Sequence, residues 1–336
     1  MDILIIGGTG VISRVITAEL LQRNHTVTLF NRGQRQNPYA GEVETIYGDK
    51  KNTEQFSASM QGRRFDAVID MISYNRDDLQ QTVRALGSRS GHLIICSTVS
   101  AYQRPFPVQP ARETDLRLTD DPVYSYGYEK AKMEKAIQVL VREKNLPITI
   151  MRPSLTFGIG SKNIGVLRQN YNIVDRIRKG KPLIMFGDGK TSIQFSFAPD
   201  VAKGFAAACG NPLTFGKAYH VTSQEYHIWD DLYMEFGRLI GMEPTIAHMP
   251  TELLLHYDEA LFGHLHFEKQ FPALYDTAEL RQDTGFEPSI TLRQGLSMIM
   301  EWYEQDQHTL DTAKDQIEDQ LVNLHASWMQ QVKHLA

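Results

Sequence analysis

Apolar positions near the N-terminus fall into short runs separated by stretches of helical spacing. "ILII", Ile3 to Ile6, is a four-residue apolar run that stops at "GGTG". "VISRVITAELLQRNH" then places Ile12, Val15, Ile16 and Leu20 three or four residues apart, the period of a helix with one buried face. This is strand, tight glycine turn, helix. "TVTLF", "FDAVIDMI" and "HLIICST" follow as further buried-looking strands, each separated from the next by helical or loop material. Strands alternating with helices predict an α/β protein with a parallel sheet and right-handed crossovers, a Rossmann-type doubly wound arrangement. Ligands of such sheets sit at the carboxyl ends of the strands, where the first glycine turn lets its backbone approach a pyrophosphate.

The turn is answered by a second signal at the end of the second strand, "FNRG", which carries Asn31 and Arg32. An acidic residue there suits the ribose 2′-hydroxyl of NAD, whereas an arginine suits the 2′-phosphate of NADP. Asn31 and Arg32 therefore favour NADP over NAD, against the plainer reading of Arg32 as a solvated loop residue. Gly7 and Gly10 of the turn are the expected phosphate-side contacts. Asp49, in "YGDKKN", is placed near the adenine, although an Asp after Gly is equally a turn residue.

"YSYGYEKAK" contains two overlapping Tyr-to-Lys spacings, Tyr126 with Lys130 and Tyr128 with Lys132. On a helix each pair would share a face, and such pairs are common on solvated helices. Phasing separates them. The face of Tyr126 continues through Lys130, Met133, Ile137, Leu140 and Val141, a buried stripe, whereas that of Tyr128 continues through Lys132, Lys135, Ala136, Val139 and Glu143. Tyr126 and Lys130 are therefore predicted to face the body of the protein, and Tyr128 and Lys132 the surface.

Taken in order, "GGTG", "STVSAY", "YGYEK", "MRPSLTFG", "FGDGKTSIQFSFAPDVAKGF" and "GFEPSITLRQGLSMIMEWY" resemble the extended short-chain dehydrogenase/reductase superfamily, which includes nucleotide-sugar epimerases and dehydratases. "LFNRG" and "YHVTSQEYHIWDDLY" are most similar to an atypical branch of NAD-dependent epimerase/dehydratases related to chloroplast stem-loop-binding proteins. The resemblance covers most of the chain. It implies a catalytic set of Tyr126 as acid/base, Lys130 as its partner and grip on the cofactor ribose, and Thr98 as the hydroxyl holding the reacting oxygen. It also implies an NAD(P)-binding Rossmann domain over 1–160, with later segments returning to it. Residues 161–336 would then form mainly a smaller substrate-binding region and C-terminal helices. The expected activity is an epimerase or ketoreductase working on a sugar or sugar-nucleotide-like substrate. The rival is a non-catalytic NAD(P)-binding regulatory or RNA-binding protein.

Three departures narrow the expectation. Ser13 stands where the turn usually has its third glycine. Val99 and Ser100 follow Thr98 where related sugar dehydratases carry an Asp-Glu pair, so water elimination lacks proton carriers. Ile193 and Gln194 stand near the place of an arginine that many relatives put on the substrate diphosphate, which removes a charge-assisted contact.

Composition changes the picture only at its edges. The 336 residues carry a net charge of −5, which makes nucleic acid an unlikely partner. Two cysteines, Cys96 and Cys209, form no disulfide framework and point to a reducing compartment. The apolar start is too short for a signal peptide or membrane span, so the sequence reads as soluble and cytoplasmic. "HLH" would place His264 and His266 on one face of a strand, but without a full ligand set no metal site is expected. "IWDDLYMEF" reads as an amphipathic helix burying Trp229 and Leu232. The C-terminal segment shows helical spacing through Ile317, Leu321 and Leu324. It fits either a cap on the domain or a packing surface for a second copy, a homodimer.

Overall fold

The computed structural model describes residues 1–169, 171–305 and 309–334. Its contacts divide the chain into two compact units. One comprises Met1–Thr156, Ser196–Gln224 and Tyr275–Ser289; the other comprises Phe157–Phe195, Glu225–Leu274 and Ile290–Ala336.

The first unit is built on a seven-stranded sheet. Its strands are β1 (Asp2–Ile6), β2 (Thr26–Asn31), β3 (Glu44–Tyr47), β4 (Ala67–Asp70), β5 (Leu93–Cys96), β6 (Ile148–Pro153) and β7 (Ala218–Val221). They lie in the order β7-β6-β5-β4-β1-β2-β3, and every neighbouring pair is parallel. Side chains alternate across the sheet. Ile3 and Ile5 join a core with Ile16, Leu20, Val201 and Phe205, while Leu4 and Ile6 join one with Phe56, Leu79, Met133 and Ile137. Helices therefore cover both faces, as a parallel sheet of continuous apolar strands requires.

Strand order reverses between β1 and β4, the switch point at which such sheets bind ligands. Register sets which residues meet there. Ile6 is opposite Phe30 on one side and Asp70 on the other, and Asp70 is opposite Ile95. Gly7, Asn31, Asp70 and Cys96 thus emerge along one sheet edge.

In the second unit the strand Leu183–Phe186 pairs in parallel with Ile246–Met249. The helix Trp229–Ile240 buries Trp229 and Leu232, with the Phe186 and Phe195 rings against the indole. The final helix, Thr312–Lys333, is secured by charge as well as by apolar packing. Leu321 is buried and Ile317 half-buried, but Leu324 is exposed. The fully buried Arg176 instead reaches Asp315 at 2.6 Å, Asp319 at 2.8 Å and Glu318 at 3.3 Å. Glu318 in turn accepts from the Gln169 amide and the Ile184 N–H. Burial pushes the Glu318 carboxyl up to about 7, because Arg176 only partly offsets it and Asp315 adds a like charge. Residues 335 and 336 of the C-terminal segment lie outside the described residues.

His264 ends the helix Glu259–His264 and His266 lies in the wider helical turn Leu265–Lys269, so the two do not share a strand face. The apolar spacing around "HLH" is too short to separate strand from helix. No helix among the described residues is long and apolar enough to cross a membrane.

Candidate active site

The glycine turn is held shut from within. Gly7 adopts φ +86°, and a Cβ there would lie 2.4 Å from Ile72 Cγ2, so both conformation and space call for glycine. Ser13, the departure from the usual third glycine, supplies two bonds a glycine could not. Its Oγ donates to the Gly7 carbonyl at 2.7 Å and accepts from the Gly10 N–H at 2.8 Å. The helix Ser13–Gln22 starts there, and its N-terminal end carries the partial positive charge that suits an anion.

At the end of β2, Asn31 is only 7% exposed. Its Oδ1 accepts from the Gly33 N–H at 2.9 Å, which fixes the orientation of the amide. That leaves Nδ2 buried without a hydrogen-bond partner among the described residues. A buried orphan donor costs free energy on the order of 1–3 kcal/mol unless something accepts from it. Arg32 is exposed beside it. Two further arginines that the sequence reading missed, Arg14 and Arg35, lie close enough to each other to interact. Burial holds the Arg14 guanidinium below its ordinary value; the Tyr39 phenol opposes that shift and Arg35 adds to it. Arg14 follows Ser13 directly in the turn-helix motif, a position that could have been singled out. Asp49 is half-buried, and its Oδ1 accepts from the Lys51 N–H in a local turn.

Tyr126 and Lys130 both lie in the first turns of the helix Ser125–Lys144. The phasing holds for Lys130, Met133 and Ile137, all buried, but fails for the tyrosines: Tyr126, in the first helical turn, is 40% exposed, whereas Tyr128 is half-buried. Lys130 Nζ donates to the Ser73 carbonyl and to the Cys96 carbonyl, each at 2.7 Å, and lies 5.0 Å from the centre of the Tyr74 ring. Burial pulls the Lys130 ammonium below its usual range, with Cys96, Asp70 and Glu134 opposing that shift and Lys50 adding to it. Burial also pushes the Cys96 thiol up to about 11, so it stays neutral beside the lysine.

Thr98 caps the short helical turn Val99–Ala101. Its hydroxyl accepts from the Ser100 N–H at 3.1 Å and faces the Ser100 hydroxyl at 3.2 Å. Gly127 brings this turn and the Tyr126 helix together, because a Cβ there would lie 2.3 Å from the Ser100 carbonyl oxygen. Two contacts, Gly127 on Ser100 and Lys130 on Cys96, therefore hold the helix that carries Tyr126 and Lys130 against the turn that carries Thr98. Val99 and Ser100 are buried in that packing and offer no carboxylate. Tyr128 lies under the Lys132 ammonium, with Nζ 5.1 Å from the ring centre, and Lys132 is exposed.

A second, buried layer backs the site. Glu134, one turn beyond Lys130, accepts from the Ser97 hydroxyl and from Arg152 Nε at 3.0 Å. Arg152 also donates to the Tyr102 hydroxyl at 2.6 Å, which in turn meets His220 Nε2 at 2.7 Å. The sequence reading missed both charged members. Their only signal was local: Glu134 falls four residues after Lys130, and Arg152 opens the "RPS" that ends β6.

A parallel sheet with this strand order, a phosphate-type glycine turn and a Tyr-Lys helix packed on a Thr-bearing turn define a dinucleotide-dependent enzyme of the extended short-chain dehydrogenase/reductase type. The chain belongs to the NAD-dependent epimerase/dehydratase family, whose model matches residues 3–221. It is 23% identical over 327 residues to UDP-N-acetyl-alpha-D-glucosaminuronate decarboxylase of Bacillus cytotoxicus, covering 90% of this chain and 97% of that protein. It is 22% identical over 333 residues to 2-alkyl-3-oxoalkanoate reductase of Stenotrophomonas maltophilia, covering 89% and 98%. Its fold matches that of UDP-glucuronic acid 4-epimerase from Bacillus cereus, solved with UDP-glucuronic acid and NAD, at a TM-score of 0.71. That match has 19% identity and covers 91% of this chain and 99% of the other.

Proposed function

We propose that this enzyme is an NAD(P)-dependent epimerase or ketoreductase acting on a sugar or sugar-nucleotide-like substrate, with Tyr126 as acid/base. The observation that carries the reading is Lys130. Its ammonium is buried one helical turn from Tyr126 and is held by two neutral carbonyls rather than by a carboxylate.

The chain's own residues fit a dinucleotide. The Gly7 turn leaves no room for a side chain, and Asn31 aims an unsatisfied buried donor at the place where the second strand ends. Gly7 and Gly10 would face the pyrophosphate, Asn31 and Arg32 the adenosine ribose, and Asp49 the adenine. Lys130 would hold the nicotinamide ribose. A buried donor at Asn31, followed directly by the exposed Arg32, suits a 2′-phosphate better than a free 2′-hydroxyl pair. This supports NADP over NAD. The bound nicotinamide supplies hydride transfer, and the protein supplies orientation and proton movement.

A free phenol has a pKa of about 10 and is a poor base at neutral pH. The Lys130 cation favours the phenolate of Tyr126, which can take the proton from a substrate hydroxyl as the carbon beneath it is oxidised, and return it on reduction. Thr98 would hold the same oxygen by a hydrogen bond. Support for a sugar-like substrate comes from the decarboxylase and epimerase relatives, and the reductase relative keeps a ketone substrate in play. Ile193 and Gln194 are buried, so neither offers the exposed cation that would hold a diphosphate.

The test is turnover of UDP-glucuronic acid, UDP-glucose and a 2-alkyl-3-oxoalkanoate, with NAD(H) and NADP(H) titrated in parallel. Tyr126→Phe is expected to lower turnover by about 10²–10⁴-fold with the unfolding midpoint unchanged. Full activity in that variant overturns the assignment of Tyr126. Tighter binding of NADH than of NADPH overturns the reading of Asn31 and Arg32.

A further inference from the structure

Beneath Lys130 lies a buried charge pair that neither the dinucleotide nor the proton transfer calls for directly. Lys50 is 4% exposed and Asp70 fully buried. Lys50 Nζ donates to Asp70 Oδ2 and to Ser73 Oγ, each at 2.6 Å. Asp70 Oδ2 also accepts from the Ser73 hydroxyl at 2.7 Å and from the Thr82 hydroxyl at 2.5 Å. Its Oδ1 accepts the Ile72 and Ser73 N–H groups at 3.0 Å each. Burial disfavours the Asp70 carboxylate, but the Lys50 charge and these donors outweigh it and hold its pKa below the ordinary range.

Such a pair is poorly explained as cement. Desolvating two charges costs about as much as their attraction returns, and apolar replacements of similar volume often serve the fold as well. What the pair does accomplish is local. It ties residues 70–73 into a turn, and the carbonyl of that turn's last residue, Ser73, is one of the two that hold Lys130. The electrostatics have the same focus. Two carboxylates act on Lys130, Asp70 and Glu134, and each has a cation of its own, Lys50 for Asp70 and Arg152 for Glu134. Of the other groups beside Lys130, the Cys96 thiol is neutral and Tyr74 presents its ring face. The Lys130 charge is thus left without a counter-ion in contact, which is the condition under which it acts most strongly on a phenol.

We propose that Lys50 is a positioning residue for Lys130: by engaging Asp70 and Ser73 together it fixes the Ser73 carbonyl under the Lys130 ammonium and keeps Asp70 from neutralising it. This rests on the reading of Tyr126 and Lys130 as the acid/base pair. It adds that a lysine from the loop after β3, which touches neither Tyr126 nor Lys130 through a hydrogen bond, governs how readily Tyr126 ionises.

The experiment follows the Tyr126 phenol directly. The full chain, labelled with ¹³Cζ-tyrosine and saturated with NADP⁺, is titrated by NMR; among its 14 tyrosines, Tyr126 is assigned by the resonance lost in Tyr126→Phe. The wild-type phenol is expected to titrate below about 10. In Lys50→Met it is expected to titrate about one pH unit higher, and in Ser73→Ala, which removes the hydroxyl bridge but no charge, higher by a smaller amount. Ser73→Ala is read in the same way if Lys50→Met does not fold. A depressed wild-type value that neither variant moves, with only the unfolding midpoint falling, overturns the positioning role alone. A wild-type phenol that titrates at its ordinary value overturns the acid/base reading and the positioning role with it.

Discussion

Each unit of this protein buries a cation among carboxylates, yet the two arrangements differ in balance. In the first, Lys50 meets one carboxylate, Asp70, and the surrounding hydrogen bonds keep that carboxylate ionised. In the second, Arg176 meets Asp315, Glu318 and Asp319, and burial leaves Glu318 close to protonation at neutral pH. The one-to-one pair joins the loop after β3 to a short turn beside Lys130, across about twenty residues. The one-to-three cluster spans some 140 residues of sequence, from Arg176 to the final helix. The contrast teaches that buried charge is informative only with its stoichiometry attached. A balanced pair leaves a neighbouring charge free to act, whereas an overloaded cation fastens a distant segment and leaves one of its partners open to titration.

Breaking the second cluster should have the largest effect on stability. Arg176→Met removes the two guanidinium bonds to the Pro182 carbonyl and the counter-charge of three carboxylates, and is expected to cost about 3–5 kcal/mol at pH 8 in urea unfolding. Dinucleotide affinity should be unchanged. A loss below about 1 kcal/mol would show that Lys181, which also reaches Asp315 and Asp319, carries the cluster instead.

The middle effect lies at the site. Gly127→Ala places a methyl against the Ser100 carbonyl oxygen and is expected to cost about 1–3 kcal/mol. It should also lower turnover of whichever substrate the wild type accepts, by separating Tyr126 from Thr98. Wild-type turnover with wild-type stability would show that the helix and the Val99–Ala101 turn can part without consequence.

The smallest effect sharpens the comparison through pH. Because the Glu318 pKa is raised in the folded state, the folded protein holds this proton more tightly than the unfolded chain. Its contribution to stability is complete below the ordinary carboxylate value and is lost as pH rises through about 7. Asp70 has the opposite sign, contributing above the ordinary value and losing that contribution only in acid. The stability of wild type relative to Glu318→Gln is therefore expected to fall by roughly 1–2 kcal/mol between pH 6 and pH 8. A flat difference would mean that Arg176 keeps Glu318 ionised throughout.

The sheet, the glycine turn and the Tyr126 to Lys130 spacing were legible in the sequence because each is written locally, as a short apolar run, a glycine cluster or a spacing of four residues. Phasing even separated Lys130 from Lys132, since one falls on the buried stripe and the other does not. What stayed hidden was pairing at long separation. Lys50 reads as one of two adjacent lysines in a polar loop, and nothing nearby reveals Asp70, twenty residues on. Arg176 likewise sits in an ordinary basic helix, and its partners lie in a segment whose apolar spacing drew attention to Leu324, which is exposed, rather than to Glu318, which is buried. The orphan amide nitrogen of Asn31 depends on which of its atoms the backbone already uses, a fact no sequence carries. Three residues cannot reveal a period, so "HLH" alone did not tell that His264 and His266 lie on helical turns.

Ser13 has a further consequence for the arrival of a nucleotide. Since its hydroxyl already joins Gly7 to Gly10, the loop is closed by the protein itself and does not wait for a phosphate to order it. The entropy of that closure is spent once, during folding, and is not charged again at each binding event. An enzyme that must exchange its nucleotide every turnover gains from such a loop, because the nucleotide can leave without the loop having to be rebuilt for the next.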